Sequence, residues 1–514
     1  MGLVIENCKI NGTRLGSVYV EDGIIKRVSD DTAQRVPPGT LRVDGHGGAL
    51  FPGFTDTHCH PFELGLLKKN VDLRGTSNIT GVRLRLAAAV RKASPGDWIH
   101  GRGWDHEAMS EKRLPSREEI DDISNNNPVV LTRVCGHISL LNSRAIHDLG
   151  VQDRKDPGFD RRADDSLTGI VREAAQEEVF RAIPGPSPDS CLQALMSVEY
   201  EAAKTGLTEV HCILSEDAYR PELEALIQLS ERPSSLRYRI YVPVKAMDFV
   251  KSSGLRNRLA TQRLKLAGVK VYTDGSLGAS TAALREPYED DRSNTGTLRY
   301  GKDELDEVVE NADREGYQVI THAIGDRAIE QAIEALSKVT GGGNPRRHRI
   351  EHASLLPKDL RTKMKKNNIH ATVQPCFVTS DTWAVQRLGE ERLRDLYPFR
   401  SMIQEGVVVS GGSDAPVETI NPIIAMWASM TRKGREEEEL SLNQAVDLYT
   451  TNAAVNGFEE DEARIFEGGR GDLTLLDSDI DGMHPSMFRK VGVAATILAG
   501  EPAYSFEGSP ELSA

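Results

Sequence analysis

Eight short apolar runs, separated by longer amphipathic stretches, pace the middle of this 514-residue chain and leave few folds open to it. They are GALFPGFTDTH (48–58), PVVLTRVCG (128–136), GLTEVHCI (206–213), RLKLAGVKVYT (263–273), YQVITHA (317–323), RHRIEHA (347–353), NIHATVQPC (368–376) and GVVVSGGSD (406–414). Short apolar runs bounded by Gly, Pro and Asn are strand signals. The intervening DRAIEQAIEALSKV (326–339) has the period of an amphipathic helix. Strands that alternate with helices build a parallel sheet, because parallel neighbours need crossover connections. Eight such units predict an α/β chain folded as a (β/α)8 TIM-type barrel, whose chemistry gathers at the carboxyl ends of the strands. The stretch at about 62–125 is longer than a barrel connection needs. It is expected to be an insertion packed over the barrel mouth, since structureless loops of that length are rare.

The two ends of the chain read differently. LVIENCKI, GSVYVEDGIIKRV and LRVDGHG near the start, and GDLTLLDSD (471–479) and VGVAATILAGEPAY (491–504) near the end, are all strand-like. Neither set can close a core alone. Residues 1–50 plus 456–505 are therefore expected to form one small composite β-sandwich, with the barrel spanning 51–455. The closing FEGSPELSA reads as a frayed tail.

Bulk properties narrow the partners. A net charge of −14 argues against nucleic acid or an anionic membrane. The six cysteines are scattered without a CxxC pair, which suits reduced thiols rather than a disulfide framework. No run approaches ~18 consecutive apolar residues, and MGLVIENCKI is not a signal peptide. A cytoplasmic, soluble protein is expected, with a homo-oligomer left open.

Chemistry-bearing residues recur where the runs end. The first gives His58 and His60, the fourth Lys270, the fifth His322, the sixth His352 and the eighth Asp414. His58 and His60 are two apart on a strand, so their imidazoles share a face while Cys59 points away. That permits a shared ion but equally fits strand-end histidines. Taken singly, each residue has an ordinary structural reading; a serine and aspartate before Ala-Pro commonly cap a helix. Six suitable residues at the right ends of successive strands point to one ring of ligands around a barrel mouth.

The ordered set PGFTDTHCHPFELG, GRGWDHEAM, CGHISLLNSRAIHDLG, GVKVYTDGSLGASTAAL, THAIGDRAI, RIEHAS, PFRSMIQEGVVVSGGSDAPV and LYTTNAA resembles the amidohydrolase superfamily. More closely, it resembles the amidohydrolase-3 group, to which the N-substituted formamide deformylases belong. The resemblance runs from about residue 50 to 455. It implies one or two divalent metal ions, zinc foremost. His58, His60 and Asp414 would hold one ion, and His322 and His352 the second. Lys270 would bridge them once carboxylated by CO2. The alternative for Lys270 is an ammonium facing a substrate anion or Asp274, and Cys135 is a rival bridging ligand.

The implied activity is hydrolysis of a non-peptide, amide-like C–N bond in a small molecule by metal-activated hydroxide, with Asp414 as general base. His137 is a candidate to bind the carbonyl oxygen, against a reading as a buried structural residue. Trp104 and Asp105 are candidates for the mouth, Arg400 for a substrate anion or for pairing with an acidic neighbour, and Asp274 for contact with the substrate. His211 is read as structural, and Arg349 and Glu351 as an ion pair facing the helix layer. A deaminase of an aminated heterocycle is the alternative in the same superfamily. It is disfavoured because Lys270 is present and THAIGDRA carries no glutamate beside His322. A catalytically inactive scaffold ranks last, since no ligand position is vacant.

Overall fold

A computed structural model describes residues 2–459 and 463–505. The tail 506–514 lies outside the described residues. Along the chain, β1 (Gly2–Ile10), β2 (Arg14–Glu21), β3 (Ile24–Ser29), β4 (Leu41–Asp44) and β5 (Ala49–Pro52) come first, and β6 (Phe54–Cys59) opens the barrel. Leu64–Ser190 form a compact unit of their own. It holds β7 (Val71–Asp72), β8 (Ile99–Trp104), β9 (Val129–Arg133), β10 (Ile138–Leu141), β11 (Phe159–Arg161) and β12 (Leu167–Arg172). The barrel continues with β13 (Leu207–Ile213), β14 (Arg237–Pro243), β15 (Leu264–Tyr272), β16 (Gln318–Ala323), β17 (Arg349–His352), β18 (His370–Val373) and β19 (Val409–Gly411). The last strands are β20 (Leu473–Leu476), β21 (Val493–Leu498) and β22 (Glu501–Ser505).

Both termini build one sheet, in the order β22-β21-β20-β5-β1-β2-β3 with β4 beside β1. The hairpin turn at Gly23 reaches back to the opposite end of that order: Gly23 accepts from Gly471 N, and Gly471 accepts from Gly500 N. The sheet thus folds over one core, shared by Leu3, Ile5, Val18, Val20 and Ile25 with Leu473, Leu475 and Ile497. Neither terminal segment contains enough apolar surface for that core, which is why the chain ends meet.

The barrel strands run in the order β6-β13-β14-β15-β16-β17-β18-β19 and pair in parallel. The ring closes between its ends through Asp414 N to His58 O at 2.7 Å and His60 N to Ala415 O at 2.9 Å. The crossover helices follow from sequence pattern. Asp326–Thr340 buries Ala328, Ile329, Ala332, Ile333 and Leu336, the three-and-four spacing of one helix face, and stops at left-handed Gly341. Ile329, Ile333 and Leu336 contribute about 1.5–3 kcal/mol each by leaving water.

Three features differ from the sequence reading. The run at 128–136 is not the second barrel strand: as β9 it pairs with β8 and β10 in the separate unit. That unit, at Leu64–Ser190, is also longer than the expected 62–125. The true third barrel strand is β14, RYRIYVP, every residue of which is buried. The sequence reading did not pick it out, because burial of its arginines depends on partners far along the chain. Arg237 is paired with Asp472 at 2.6 Å and Arg239 with Glu209 at 3.0 Å. The errors offset each other, so Lys270, His322, His352 and Asp414 still fall on strands four, five, six and eight.

Candidate metal centre

The barrel lumen holds many polar side chains. Ile213, Tyr241 and Ile320 form a small apolar cluster. Around it, Thr57 Oγ1 meets Ser410 Oγ at 2.9 Å and Gly411 O at 3.0 Å. Arg349 donates to Tyr241 Oη at 3.0 Å and to Thr57 O at 3.0 Å, and through Nε to Glu351 Oε1 at 2.6 Å. Arg349 and Glu351 are an ion pair, as expected, but they point across the lumen rather than to the helix layer. The reason is local backbone: His352 has φ 71° and Ala353 φ 45°. The strand therefore ends with Glu351 inside, and the turn carries the His352 imidazole round to the same end.

The opening motif and Asp414 meet because β6 and β19 are laced together. Asp56 Oδ1 accepts from His58 N and from Ser413 N, each at 3.0 Å. Burial pushes the Asp56 carboxyl up to about 7. Gly412 permits the close approach, since a Cβ there would lie 2.5 Å from His58 Cβ and 2.7 Å from His58 N.

His58 Nε2 and His60 Nε2 each lie 3.2 Å from Asp414 Oδ1. Lys270 Nζ is 3.3 Å from His58 Nε2, the His58 and His352 rings are 4.8 Å apart, and those of His322 and His352 4.5 Å. Four histidines, the lysine and the aspartate expected at the mouth are thus one cluster. Burial tends to raise the Asp414 carboxyl, but His58 and His60 beside it prevail and hold it well below the usual carboxylate range. Burial lowers Lys270 to about 8, and burial with the neighbouring His322 drives His352 well below the ordinary histidine value. Lys270 has no direct carboxylate partner among the described residues. The expected alternative, an ion pair with Asp274, is not formed.

The donor set fits a divalent cation. One nitrogen each of His58 and His60 and one oxygen of Asp414 lie within 4.8 Å of one another, and neutral imidazole with carboxylate suits zinc and similar ions. His58 uses Nδ1 on Glu351 Oε2, so Nε2 remains for the cluster. His352 Nδ1 likewise faces Gln374 Oε1 at 2.7 Å. His322 is turned the other way: its Nε2 is engaged with Gly275 O at 3.0 Å, which leaves Nδ1. His60 Nδ1 is buried without a hydrogen-bond partner among the described residues. Glu351, Gln374 and Tyr272, whose ring centroid lies 4.9 Å from Lys270 Nζ, are site residues that sequence reasoning missed. Tyr272 had a signal, standing two residues beyond Lys270 on the same strand face.

The other expected site residues have surroundings of their own. Asp274 accepts from Ala283 N, Ile324 N and Gly325 N at 2.9–3.1 Å. It is buried, organises the loop after β15, and its Oδ1 lies 3.4 Å from His322 Nε2. Trp104 is fully buried in the core of the Leu64–Ser190 unit and donates Nε1–H to Leu131 O at 2.8 Å, so it is a packing residue. Asp105, in the same unit, pairs with Arg133 at 2.7 Å. His137 and Cys135 also belong there, because β9 is not a barrel strand. His137 is not buried as its structural reading supposed: its side chain is 68% exposed, 3.4 Å from Glu173. Cys135 is exposed as well. Arg400 lies in the first turn of the helix Phe399–Gln404 and reaches Glu439 O at 3.5 Å. His211 is buried beside Tyr241 in the lumen, with burial driving it well below the ordinary histidine value.

Comparison with known proteins gives a consistent picture. The amidohydrolase family pattern matches residues 42–504. The N-substituted formamide deformylase of Arthrobacter pascens is 24% identical over 521 residues, covering 96% of this chain and 95% of that protein. Protein LONG AFTER FAR-RED 3 of Arabidopsis thaliana is 29% identical over 490 residues, covering 90% of this chain and 84% of that protein. Among solved structures, an uncharacterized metal-dependent hydrolase from Pyrococcus furiosus superposes with a TM-score of 0.78 at 29% identity, over 95% of this chain and 100% of the other.

Proposed function

The chain belongs to the amidohydrolase family, and from that premise we propose that it hydrolyses an amide-like, non-peptide C–N bond in a small molecule, using one or two divalent cations, zinc foremost. The observation that carries the reading is the convergence of His58 Nε2 and His60 Nε2 on Asp414 Oδ1, each at 3.2 Å, beside Lys270. The bond class draws further support from the formamide deformylase named among the relatives.

A bound divalent cation supplies carbonyl polarisation and a water acidic enough to react near neutral pH. The protein's own part is positional. His58, His60 and Asp414 would hold one ion, and His322 and His352 would hold a second, with Nδ1 of His322 and Nε2 of His352 left for it. Asp414 stays a carboxylate, so it can take the proton of the attacking water and return it to the leaving nitrogen. Lys270, buried without a carboxylate in contact, suits carboxylation by CO2 better than an ammonium, and the carbamate would add oxygen donors to the site. The deaminase reading lacks its glutamate: Ala323 and Ile324 follow His322.

The test is a substrate panel run on zinc-loaded protein, with N-formyl, N-acyl and cyclic amides set against aminated heterocycles. Release of a carboxylate and an amine is expected, and His60→Ala should abolish it together with most of the bound zinc. Ammonia released from a heterocycle, with no amide turned over, would overturn the proposal in favour of deamination.

A further inference from the structure

We infer that Glu351 is a positioning residue for the metal centre: its carboxylate fixes the tautomer and the orientation of His58, and so tunes the affinity of the site for its cation. The inference rests on the metal reading above and extends it to a residue that touches no reacting atom.

Glu351 is the sixth-strand residue immediately before His352, and its side chain is fully buried, as is that of Arg349. One carboxylate oxygen, Oε2, meets His58 Nδ1. The other, Oε1, accepts Arg349 Nε at 2.6 Å. Arg349 is in turn held by Thr57 O at 3.0 Å and Tyr241 Oη at 3.0 Å, and Tyr241 donates to Gln318 Oε1 at 2.6 Å. Thr57 directly precedes His58, so the arginine that anchors Glu351 is also tied to the backbone of the strand that carries the ligand. The arrangement spans the lumen from β17 to β6, which are not neighbours in the barrel. Glu351 therefore has little freedom to turn, and His58 has none without breaking the contact.

The chemistry follows from donor and acceptor types. With Nδ1 of His58 against a carboxylate that is also paired to arginine, the proton of the neutral imidazole belongs on Nδ1, and the lone pair is on Nε2. That is the nitrogen that faces Asp414 and Lys270. His352 obtains the same tautomer from Gln374 Oε1 at 2.7 Å, but from a neutral amide. The charged acceptor behind His58 does more: it draws on the Nδ1 proton and makes Nε2 a stronger donor to a cation. The two histidines are thus oriented alike and tuned differently.

Glu351→Gln keeps the volume and removes the charge. Loss of such an outer partner typically costs ~10–100-fold in metal affinity. The experiment is zinc competition against a chromophoric chelator on the full-length chain, with parent and variant side by side. A drop of about 10-fold or more is expected. In 15N-histidine spectra of the zinc-loaded chain, the parent should show His58 protonated at Nδ1 alone, and the variant a shifted Nδ1 signal. Zinc affinity within threefold of the parent and an unchanged His58 signature would overturn the positioning role. Because Glu351→Gln leaves Arg349 uncompensated and can fail to fold, Arg349→Met/Glu351→Gln serves as the second variant, under the same criteria. If neither folds, Glu351 is a structural charge of the lumen and the inference falls. The parent's titration separates the two claims: a parent that binds no zinc overturns the metal reading itself, whereas a zinc-binding parent with an equally tight variant overturns only the role of Glu351.

Discussion

Gly412→Ala probes how β19 is held against β6 without removing any donor atom of the metal centre. In the folded chain a Cβ at residue 412 would sit 2.5 Å from His58 Cβ, 2.7 Å from His58 N and 3.0 Å from His58 Cα. Ordinary contact begins at 3.4 Å, so the two strand ends must part by about 0.9 Å. Two of the three opposing atoms are backbone, and a rotamer change cannot relieve them. Overpacking of this kind costs about 1–3 kcal/mol. The functional effect should be larger than the stability effect suggests, because the hydrogen bonds that the movement stretches are Asp414 N to His58 O at 2.7 Å and Ser413 N to Asp56 Oδ1 at 3.0 Å. Misplacing a reacting group by ~1 Å can cost ~10²-fold in rate, and Asp414 is carried on the strand end that moves. Two assays decide it: chemical denaturation of the metal-free chain, and zinc competition. The expected result is a lower midpoint of unfolding with a loss of zinc affinity of about 10-fold or more. A Gly412→Ala protein as stable as the parent and equally tight for zinc would refute both the close approach and its role in holding Asp414 beside His58.

Asp414→Asn keeps the shape of the side chain but cannot accept a proton; turnover of an amide substrate should fall ~10²–10⁴-fold while the circular dichroism spectrum is unchanged, and parent-like turnover would move the base elsewhere. Lys270→Ala should lose activity and one of two zinc ions by elemental analysis, with partial recovery in short-chain carboxylic acids; a Lys270→Arg protein that keeps much of the activity would instead make Lys270 an ordinary cation. Burial lifts the Glu222 carboxyl from about 4.5 to about 8, so the folded chain holds a proton that the unfolded chain releases. Its contribution is complete below about pH 4.5 and is lost as pH rises towards 8. Glu222→Gln should therefore gain up to a few kcal/mol over the parent at pH 8 and little at pH 4.5, and a gain that is equal at both pH values would refute the assignment.

Much of the site was legible before folding. His58, His60, Lys270, His322, His352 and Asp414 could be found because a barrel places strand ends together, so residue type and strand order suffice to predict the ring. The composite terminal sheet was legible for a similar reason: strands without a core must borrow one. Sequence periodicity reports how many faces of a segment are buried, but not what buries them. For that reason PVVLT at 128–132 and its flanks read as a barrel strand although it pairs within Leu64–Ser190, and RYRIYVP did not, although ion pairs with Asp472 and Glu209 bury its arginines. Trp104 and Asp274 show the same limit: a tryptophan next to polar residues and an aspartate in a glycine-rich loop look available to substrate until Leu131 O and three backbone N–H groups are seen to claim them. The direction of Glu351 was decided by tertiary structure alone. Strand alternation set it opposite His352, but whether that side was lumen or helix layer depended on the turn at His352 and Ala353, and on Thr57 and Tyr241 waiting across the barrel for Arg349. Chain order determined which donors could meet; only the closed ring determined which nitrogen of each histidine faces the others.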